Sequence, residues 1–150
     1  MGWIRVIASY LAVTLATAVL ATMVQTQFVI SALKGVGAEV SLGDRLSMTL
    51  ADLAGLAPLF GVILAIALGA AFLAAALAGR FAPIARTLVF AAAGAVAFGV
   101  MLFLMEQVFF GVQVIAGARF TFGFIAQMAC GALAGALYAR LTPPPAARAA

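Results

Sequence analysis

The residues that could do chemistry in this chain are few. Its 150 residues include four Asp and Glu, eight Lys and Arg, one cysteine and no histidine. Because the chain has no histidine and Cys130 is its single thiol, the usual ligands of haem and zinc are missing, and no metal or other cofactor is expected. No nucleophile has a base beside it and no Gly-rich loop follows a strand pattern, so the sequence does not predict an enzyme.

Glu106 is the ionisable residue with the most unusual surroundings. It follows the unbroken apolar run 101–105 and precedes further apolar residues, which places it near one end of a hydrophobic segment. Ionisable groups within membranes often serve function, whereas those near the membrane edge often only anchor or pair. At similar depth we expect a polar cluster that binds an ion, a proton or a headgroup, or that merely holds the helices together. Its candidate members are Glu106, Arg119, Asp52, Gln127, Gln25 and Arg45.

Gln127 is the one amide of this set expected well inside the hydrocarbon. It follows Arg119 by eight residues, which corresponds to about 12 Å of helical rise. One interpretation is an interhelical hydrogen bond, which amides commonly form in membranes. The other is a polar path that Gln127 lines together with Glu106.

The composition excludes an ordinary water-soluble fold. Hydrophobic residues make up 67% of the chain and charged residues 8%, whereas soluble domains are about half apolar and about a quarter charged. A chain this short cannot bury so many apolar side chains in its own interior, so lipid must solvate most of them. The basic residues fall singly between apolar runs rather than in a patch, so no nucleic-acid partner is expected.

Four apolar runs are long enough to cross a bilayer, which takes about 20 helical residues. They cover 4–30, 57–78, 87–110 and 120–141. None alternates polar with apolar residues, so we predict helices rather than barrel strands. The predicted fold is an all-α integral membrane protein, a four-transmembrane-helix bundle forming one domain over 1–141. A Pro- and Ala-rich tail at 142–150 cannot continue the last helix.

The connection between the first two spans contains a helix signal of its own. Ser41 followed by Asp44 resembles a capping box, and leucines then recur at helical spacing at 42, 46, 50 and 53. This pattern predicts a short amphipathic helix on the outer interface. The alternative is a second span that simply projects from the membrane.

The cations indicate an orientation, because Lys and Arg are retained on the cytoplasmic side. An arrangement with both termini in the cytoplasm puts five cations inside, namely Arg5, Arg80, Arg86, Arg140 and Arg148, and leaves Lys34, Arg45 and Arg119 outside. All four carboxylates then lie on or near the outer side. We expect a multi-pass protein of the inner (plasma) membrane of a bacterium.

The two halves of the chain show a weak internal repeat. Arg5 and Gln25 align with Arg86 and Glu106 at one offset, and Phe60 and Gly69 align with Phe122 and Gly131 at another. Such matches predict two repeated hairpins related by a twofold axis along the membrane normal. Chance similarity between alanine-rich segments is the alternative.

Small residues recur at helical spacing and predict close helix packing. The glycines concerned are Gly61, Gly69, Gly99, Gly131 and Gly135. They serve contacts within one bundle or contacts with another subunit.

Three functions are compatible with these features. The first is a non-catalytic accessory or structural subunit of a larger membrane assembly, docked through other membrane subunits or by self-association. The second is a small oligomeric transporter or channel with a polar outer-side site. The third is a lipid- or isoprenoid-binding protein that uses the phenylalanines crowded in the outer half of spans three and four.

Overall fold

The computed structural model describes residues 2–79, 85–108, 110 and 115–142. Four of the helices in these ranges are long and apolar enough to cross a membrane, which confirms the all-α four-span fold. The helices are α1 (Gly2–Gly35), α2 (Leu42–Gly55), α3 (Ala57–Ala78), α4 (Arg86–Val108) and α5 (Thr121–Leu141), with a 3-10 helix at Ala116–Arg119 before α5. The predicted tail beyond Thr142 and the placements of Arg80 and Arg148 lie outside the described residues.

The first span is longer than the sequence predicted. Helix α1 continues past Ile30 to Gly35, because the residues that follow Ile30 still favour helix although they include the charged Lys34. The chain then turns at Gly37, whose φ of +87° is a conformation that glycine adopts without strain. The end of α1 therefore projects beyond its most apolar stretch.

The four spans form a ring in the order α1, α3, α4, α5. Helix α1 packs on α3 and α5, and α4 packs on the same two helices, with the α4–α5 contact the most extensive. Most of the core is apolar, and many large apolar side chains, such as Leu15, Ile66 and Leu133, are exposed on the outside. This outer surface is suited to lipid, since water-soluble proteins rarely expose large continuous areas of apolar side chains.

This ring order bears on the predicted repeat. A twofold axis along the membrane normal would place α1 opposite α4 and α3 opposite α5, which is the observed arrangement. The residue match is weaker, because Phe60 is 2% exposed and packs against Phe98, whereas Phe122 is 81% exposed. The helices are thus arranged as a duplication requires, but Phe60 and Phe122 do not occupy equivalent environments.

Glycines bring α4 and α5 into backbone contact. A Cβ atom added to Gly131 would collide with the carbonyl group of Gly94, and one added to Gly135 would collide with the carbonyl group of Phe90. Gly61 and Gly69 face Ala18 and Tyr10 of α1, and Gly99 faces Met128 of α5. All five predicted packing glycines therefore contact another helix of the same chain.

Helix α2 is a separate element with the predicted capping box. The Ser41 hydroxyl accepts a hydrogen bond from the Asp44 amide at 3.1 Å, and the Asp44 carboxylate accepts one from the Ser41 amide at 3.0 Å. A single residue, Leu56, separates α2 from α3, and Pro58 lies in the first turn of α3. Three leucines of the amphipathic pattern, Leu42, Leu46 and Leu50, are exposed, as an interfacial helix requires.

Acidification is expected to loosen the start of α2. Hydrogen bonds from the Ser41 side chain and amide lower the pKa of Asp44. A carboxyl group with a lowered pKa stabilises the folded form above the ordinary aspartate pKa of about 3.9 and loses this effect as the pH falls through its own lower value. Hydrogen exchange of the first-turn amides of α2 should therefore accelerate below about pH 4 beyond the intrinsic pH effect. Asp44→Asn should remove this additional acceleration. The same pH dependence of hydrogen exchange in the variant and the original protein would contradict a role of Asp44 in stabilising the start of α2.

At the other end of the bundle, four aromatic rings and two arginines close the structure. Phe72 stacks on Tyr138 at 4.6 Å, and Tyr10 and Phe90 pack around this pair. Arg86 donates hydrogen bonds to the carbonyls of Ala139 and Thr142 and to the Thr142 hydroxyl, while Arg5 donates to the Leu141 carbonyl. These cations therefore satisfy the free carbonyls at the C-terminal end of α5, where the helix dipole also favours positive charge. We call this the Arg86 end, and the opposite end the α2 end.

Arg86→Ala is expected to lower the free energy of unfolding by about 1.5 to 3 kcal/mol, the cost of losing hydrogen bonds to a charged group. The guanidinium also lies 4.8 Å from the centre of the Phe90 ring, a contact that the variant loses as well. Unfolding in mixed detergent micelles would measure the difference. Arg140→Ala is the matched control, since Arg140 is exposed at the same end; equal losses in the two variants would contradict the capping role.

Candidate functional site

The inward face of α1 is polar over much of its length. Five of its buried side chains carry hydroxyl or amide groups, namely Thr14, Thr17, Thr22, Gln25 and Thr26. They lie between positions 14 and 26, a separation of about 18 Å of helical rise. By contrast, the sequence of α3 contains no polar side chain at all. The polar groups inside the bundle are therefore concentrated on one helix.

Gln127 of α5 joins this face at the level of Ala21. It is fully buried, and its Nε2 donates a hydrogen bond of 2.9 Å to the Ala21 carbonyl. Within an α-helix that carbonyl points toward the amide of the residue four positions later, which here is Gln25. The two glutamines therefore lie at the same turn of α1. Their Oε1 atoms are both buried and have no hydrogen-bond partner among the described residues.

The Thr22 and Thr26 hydroxyls extend this polar turn toward α2. The Oγ1 atom of Thr26 lies 2.7 Å from Asp52 Oδ2 and 2.9 Å from the Thr22 carbonyl. The hydroxyl of Thr22 is buried and, within the described part of the chain, has no hydrogen-bond partner. Asp52 thus places a carboxylate one helical turn from a set of unpaired oxygens.

The 3-10 helix packs over the same region. A Cβ atom at Gly117 would lie 2.9 Å from both the Cα and the carbonyl oxygen of Gln25. A Cβ atom added to Gly123, in the first turn of α5, would collide with the Gly117 carbonyl group. Glycine at both positions lets the 3-10 helix cover Gln25, which is 6% exposed.

The structure unites part of the predicted polar cluster. Gln25, Asp52 and Gln127 meet along residues 21–26 of α1. Glu106 is half-buried near the end of α4, whereas Arg119 and Arg45 are exposed at the α2 end. The two arginines therefore lie in the aqueous or headgroup region rather than within the buried site.

The threonines of α1 and Gly94 were not among the residues predicted from the sequence. Threonine is nearly neutral in hydropathy, so four threonines hardly lower the mean hydropathy of an apolar span. Their recurrence at helical spacing, at 14, 17, 22 and 26, is the signal that could have identified them. Gly94 was overlooked because the small residues beside it, Ala91 and Ala95, follow a similar spacing.

An apolar groove of about 700 Å³ lies on the outside of the bundle between α3 and α4. Alanine, valine, isoleucine, leucine and methionine side chains line it, among them Ala70, Ala74, Ala97 and Met101. Among the described residues that line this groove there is no phenylalanine, and Phe103, Phe110, Phe120 and Phe122 are exposed on the surface. Phe109 lies outside the described residues.

The candidate site is therefore a buried cluster of oxygen atoms inside a helical membrane bundle. Carbonyl, hydroxyl and carboxylate oxygens bind cations and water, and a buried oxygen without such a partner is energetically costly. Comparison with known proteins adds no assignment, because no protein family model, no curated protein and no solved structure matches this chain.

Proposed function

We propose that this protein is a small transporter or channel that carries a cation or proton across the membrane along the polar face of α1. The observation that supports this most is the continuity of polar groups inside the bundle. From the α2 end to the Arg86 end these groups are Asp52, Thr26, Gln25, Gln127, Thr22, Thr17, Thr14 and Tyr10. The stretch of α1 from Tyr10 to Thr26 covers about 24 Å of helical rise, most of the roughly 30 Å hydrocarbon thickness.

Packing alone accounts poorly for this arrangement. Threonine hydroxyls can bond to the carbonyl four residues earlier, as Thr17 does to Val13 at 2.7 Å. The hydroxyls of Thr14 and Thr22 and the Oε1 atoms of both glutamines have no such partner in the described ranges. Because an unpaired buried polar group costs free energy, a bundle held only by packing gains nothing from retaining four of them.

We propose further that the protein lies in the inner membrane of a bacterium with the Arg86 end in the cytoplasm. Four spans place the start of α1 and the end of α5 on the same side, and the Arg5 contact with Leu141 joins them. From the sequence, five cations are expected at this end, with Arg80 and Arg148 among them, and three at the other, which favours retention of this end in the cytoplasm. Reporter fusions after Thr142 would test the orientation, and export of the reporter would contradict it.

The transport function is testable with purified protein in liposomes. Vesicles containing the protein should release or take up Na⁺, K⁺ or H⁺ under an imposed gradient faster than empty vesicles. A protein with the same fold but an interrupted path, such as Gln127→Leu, supplies the internal control. Equal rates in protein-containing and empty vesicles for all three ions, under both polarities of membrane potential, would reject the proposal.

We propose as a second candidate that the chain is a non-catalytic subunit of a larger membrane assembly. The observation that favours it is the groove between α3 and α4, whose apolar lining includes exposed alanines that let another helix approach closely. We take its occupant to be a transmembrane helix of a partner protein.

A photoreactive amino acid at Ala70 in the groove would test this second candidate in native membranes, with Leu133 on the exposed face of α5 as control. Adducts from Ala70 alone that map to a transmembrane segment of one recurrent partner would support it. Adducts to a second copy of the chain would support self-association instead. Phospholipid adducts alone would favour the lipid-binding hypothesis and count against a subunit role.

A further inference from the structure

We infer that Gln25, Gln127 and Thr22 form a binding site for a monovalent cation, with Asp52 supplying the compensating negative charge. The inference names the ligand of the transport path and therefore rests on the proposed function for its biological meaning. Its structural basis is the single polar turn of α1 at residues 21–26, where side chains from α1, α2 and α5 converge.

The orientation of the Gln127 carboxamide group determines whether the site favours a positively or a negatively charged ligand. The Ala21 carbonyl can only accept a hydrogen bond, so the atom 2.9 Å from it must be the NH₂ group of Gln127. This contact determines which of the two terminal atoms of the Gln127 side chain is nitrogen and which is oxygen. The Oε1 atom, which carries partial negative charge, is therefore the group left without a partner. A site that presents carbonyl oxygen recognises a cation or a hydrogen-bond donor, and not an anion.

Gln25 brings a second buried carboxamide group from the adjacent helix. Its Oε1 atom is also buried and unpaired within the described residues. The Thr22 hydroxyl, likewise buried and unpaired there, lies one turn before Thr26 on the same helix. Amide and hydroxyl oxygens of this kind are the ligands that hard cations such as Na⁺ and K⁺ prefer, whereas soft metals prefer sulfur and imidazole.

The charge at the site matches a single positive charge. Thr26 connects the polar turn to one carboxylate, Asp52, through the 2.7 Å contact. One carboxylate balances one monovalent cation, whereas Ca²⁺ sites usually combine several carboxylates with other oxygens. Arg45 precedes Asp52 by two turns of α2, about 10 Å along its axis, and it is exposed, so solvent ions screen its repulsion.

The site is also closed well enough to strip water from an ion. Gln127 and Thr22 are fully buried, and Gly117 of the 3-10 helix packs directly on Gln25. Direct coordination by protein oxygens must then replace the hydration shell, which is how selective cation sites in membranes operate. Entry at the α2 end would pass between Asp52 and the 3-10 helix.

Thermal unfolding of the purified protein in detergent tests the inference without reference to transport. The Tm is measured over a range of NaCl, KCl and choline chloride concentrations at equal ionic strength, because a ligand that binds only the folded form stabilises it by RT ln(1 + [L]/Kd) and so raises Tm. We expect Tm to rise with the logarithm of the Na⁺ or K⁺ concentration above Kd, and we expect no rise with choline. The same Tm in all three salts would overturn the inference and indicate that water satisfies the oxygens.

Two variants locate the effect. Gln127→Leu and Thr22→Val should each raise the cation Kd, obtained from the dependence of Tm on cation concentration, by about tenfold or more, corresponding to roughly 1.4 kcal/mol of binding free energy. Gln107→Leu, at an exposed position of α4 toward the same end, should leave it unchanged. Thr22→Val decides the matter if Gln127→Leu does not fold, since the Thr22 hydroxyl has no hydrogen bond to lose among the described residues. An unchanged cation Kd in Thr22→Val would place the ion elsewhere and overturn the inference.

The outcome separates binding from transport. Cation-dependent stability without flux in liposomes would retain the site and reject the transport function. Flux without cation-dependent stability would retain the transport function and reject this site.

Discussion

Gly135→Ala is expected to destabilise the protein by about 3 kcal/mol or more, at or above the upper end of the usual cost of overpacking a core. A methyl group at this position would collide with the Phe90 carbonyl group and crowd the amide of Ala91. Both are backbone atoms of α4 and cannot rotate away, so the two helices must separate. Separation would also loosen the Gly94–Gly131 contact one turn away, where the backbones are equally close.

Gly61→Ala is the matched control for this prediction. It adds the same methyl group to a membrane-spanning helix, but the new Cβ would lie at an ordinary 3.5 Å from the Cβ atom of Ala18. The variant should keep or slightly improve stability, because alanine favours helix over glycine by up to about 1 kcal/mol. Unfolding in mixed micelles would measure both. Equal losses in the two variants would show that close approach of α4 and α5 is not required.

The second large effect concerns transport. Gln127→Leu should reduce cation flux in liposomes by at least about tenfold, which corresponds to roughly 1.4 kcal/mol of barrier or binding free energy. The variant replaces the one buried amide of α5 by an apolar side chain of similar size, removing both the unpaired Oε1 and the bond to Ala21.

Gln107→Leu makes the same chemical change at an exposed site of α4 and should leave the flux unaltered. Protein content and orientation in the vesicles must be equal for the comparison. Undiminished flux in Gln127→Leu would remove Gln127 from the path, whatever the result with Gln107→Leu.

Most of the fold could be predicted because the bilayer imposes simple lengths on the sequence. The boundaries of α3 and α5 match the predicted spans to within a residue, since each apolar run ends where charged or turn-forming residues begin. Helix α2 was predictable from a purely local signal, the capping box at Ser41 and Asp44. The extension of α1 to Gly35 was not, because hydropathy marks the end of the hydrocarbon and not the end of the helix.

The candidate site was only partly predictable, for a geometric reason. Hydropathy places a residue at a depth in the membrane but does not tell which way its side chain points. Glu106, Arg119 and Asp52 were expected at one depth; Asp52 contacts the polar face of α1 through Thr26, whereas Arg119 is exposed and Glu106 is half-buried near the end of α4. The rotation of each helix is set by packing, and the close contact at Gly94 and Gly131 fixes it for α4 and α5.

The most direct test of the transport path is the water accessibility of α1. In a background without the buried Cys130, single cysteines are placed at Thr17 and Thr22 on the polar face and at Leu15 and Val19 on the exposed apolar face. Because thiols react as thiolates, which form in water and not in lipid, a membrane-impermeant thiol reagent reports an aqueous path. Thr17 and Thr22 are buried in the described conformation, so we predict modification of Thr17→Cys and Thr22→Cys in membranes only while the path opens to water during transport, slowed by the transported cation, and none at Leu15→Cys or Val19→Cys. Equal protection of all four positions would contradict a polar path along α1.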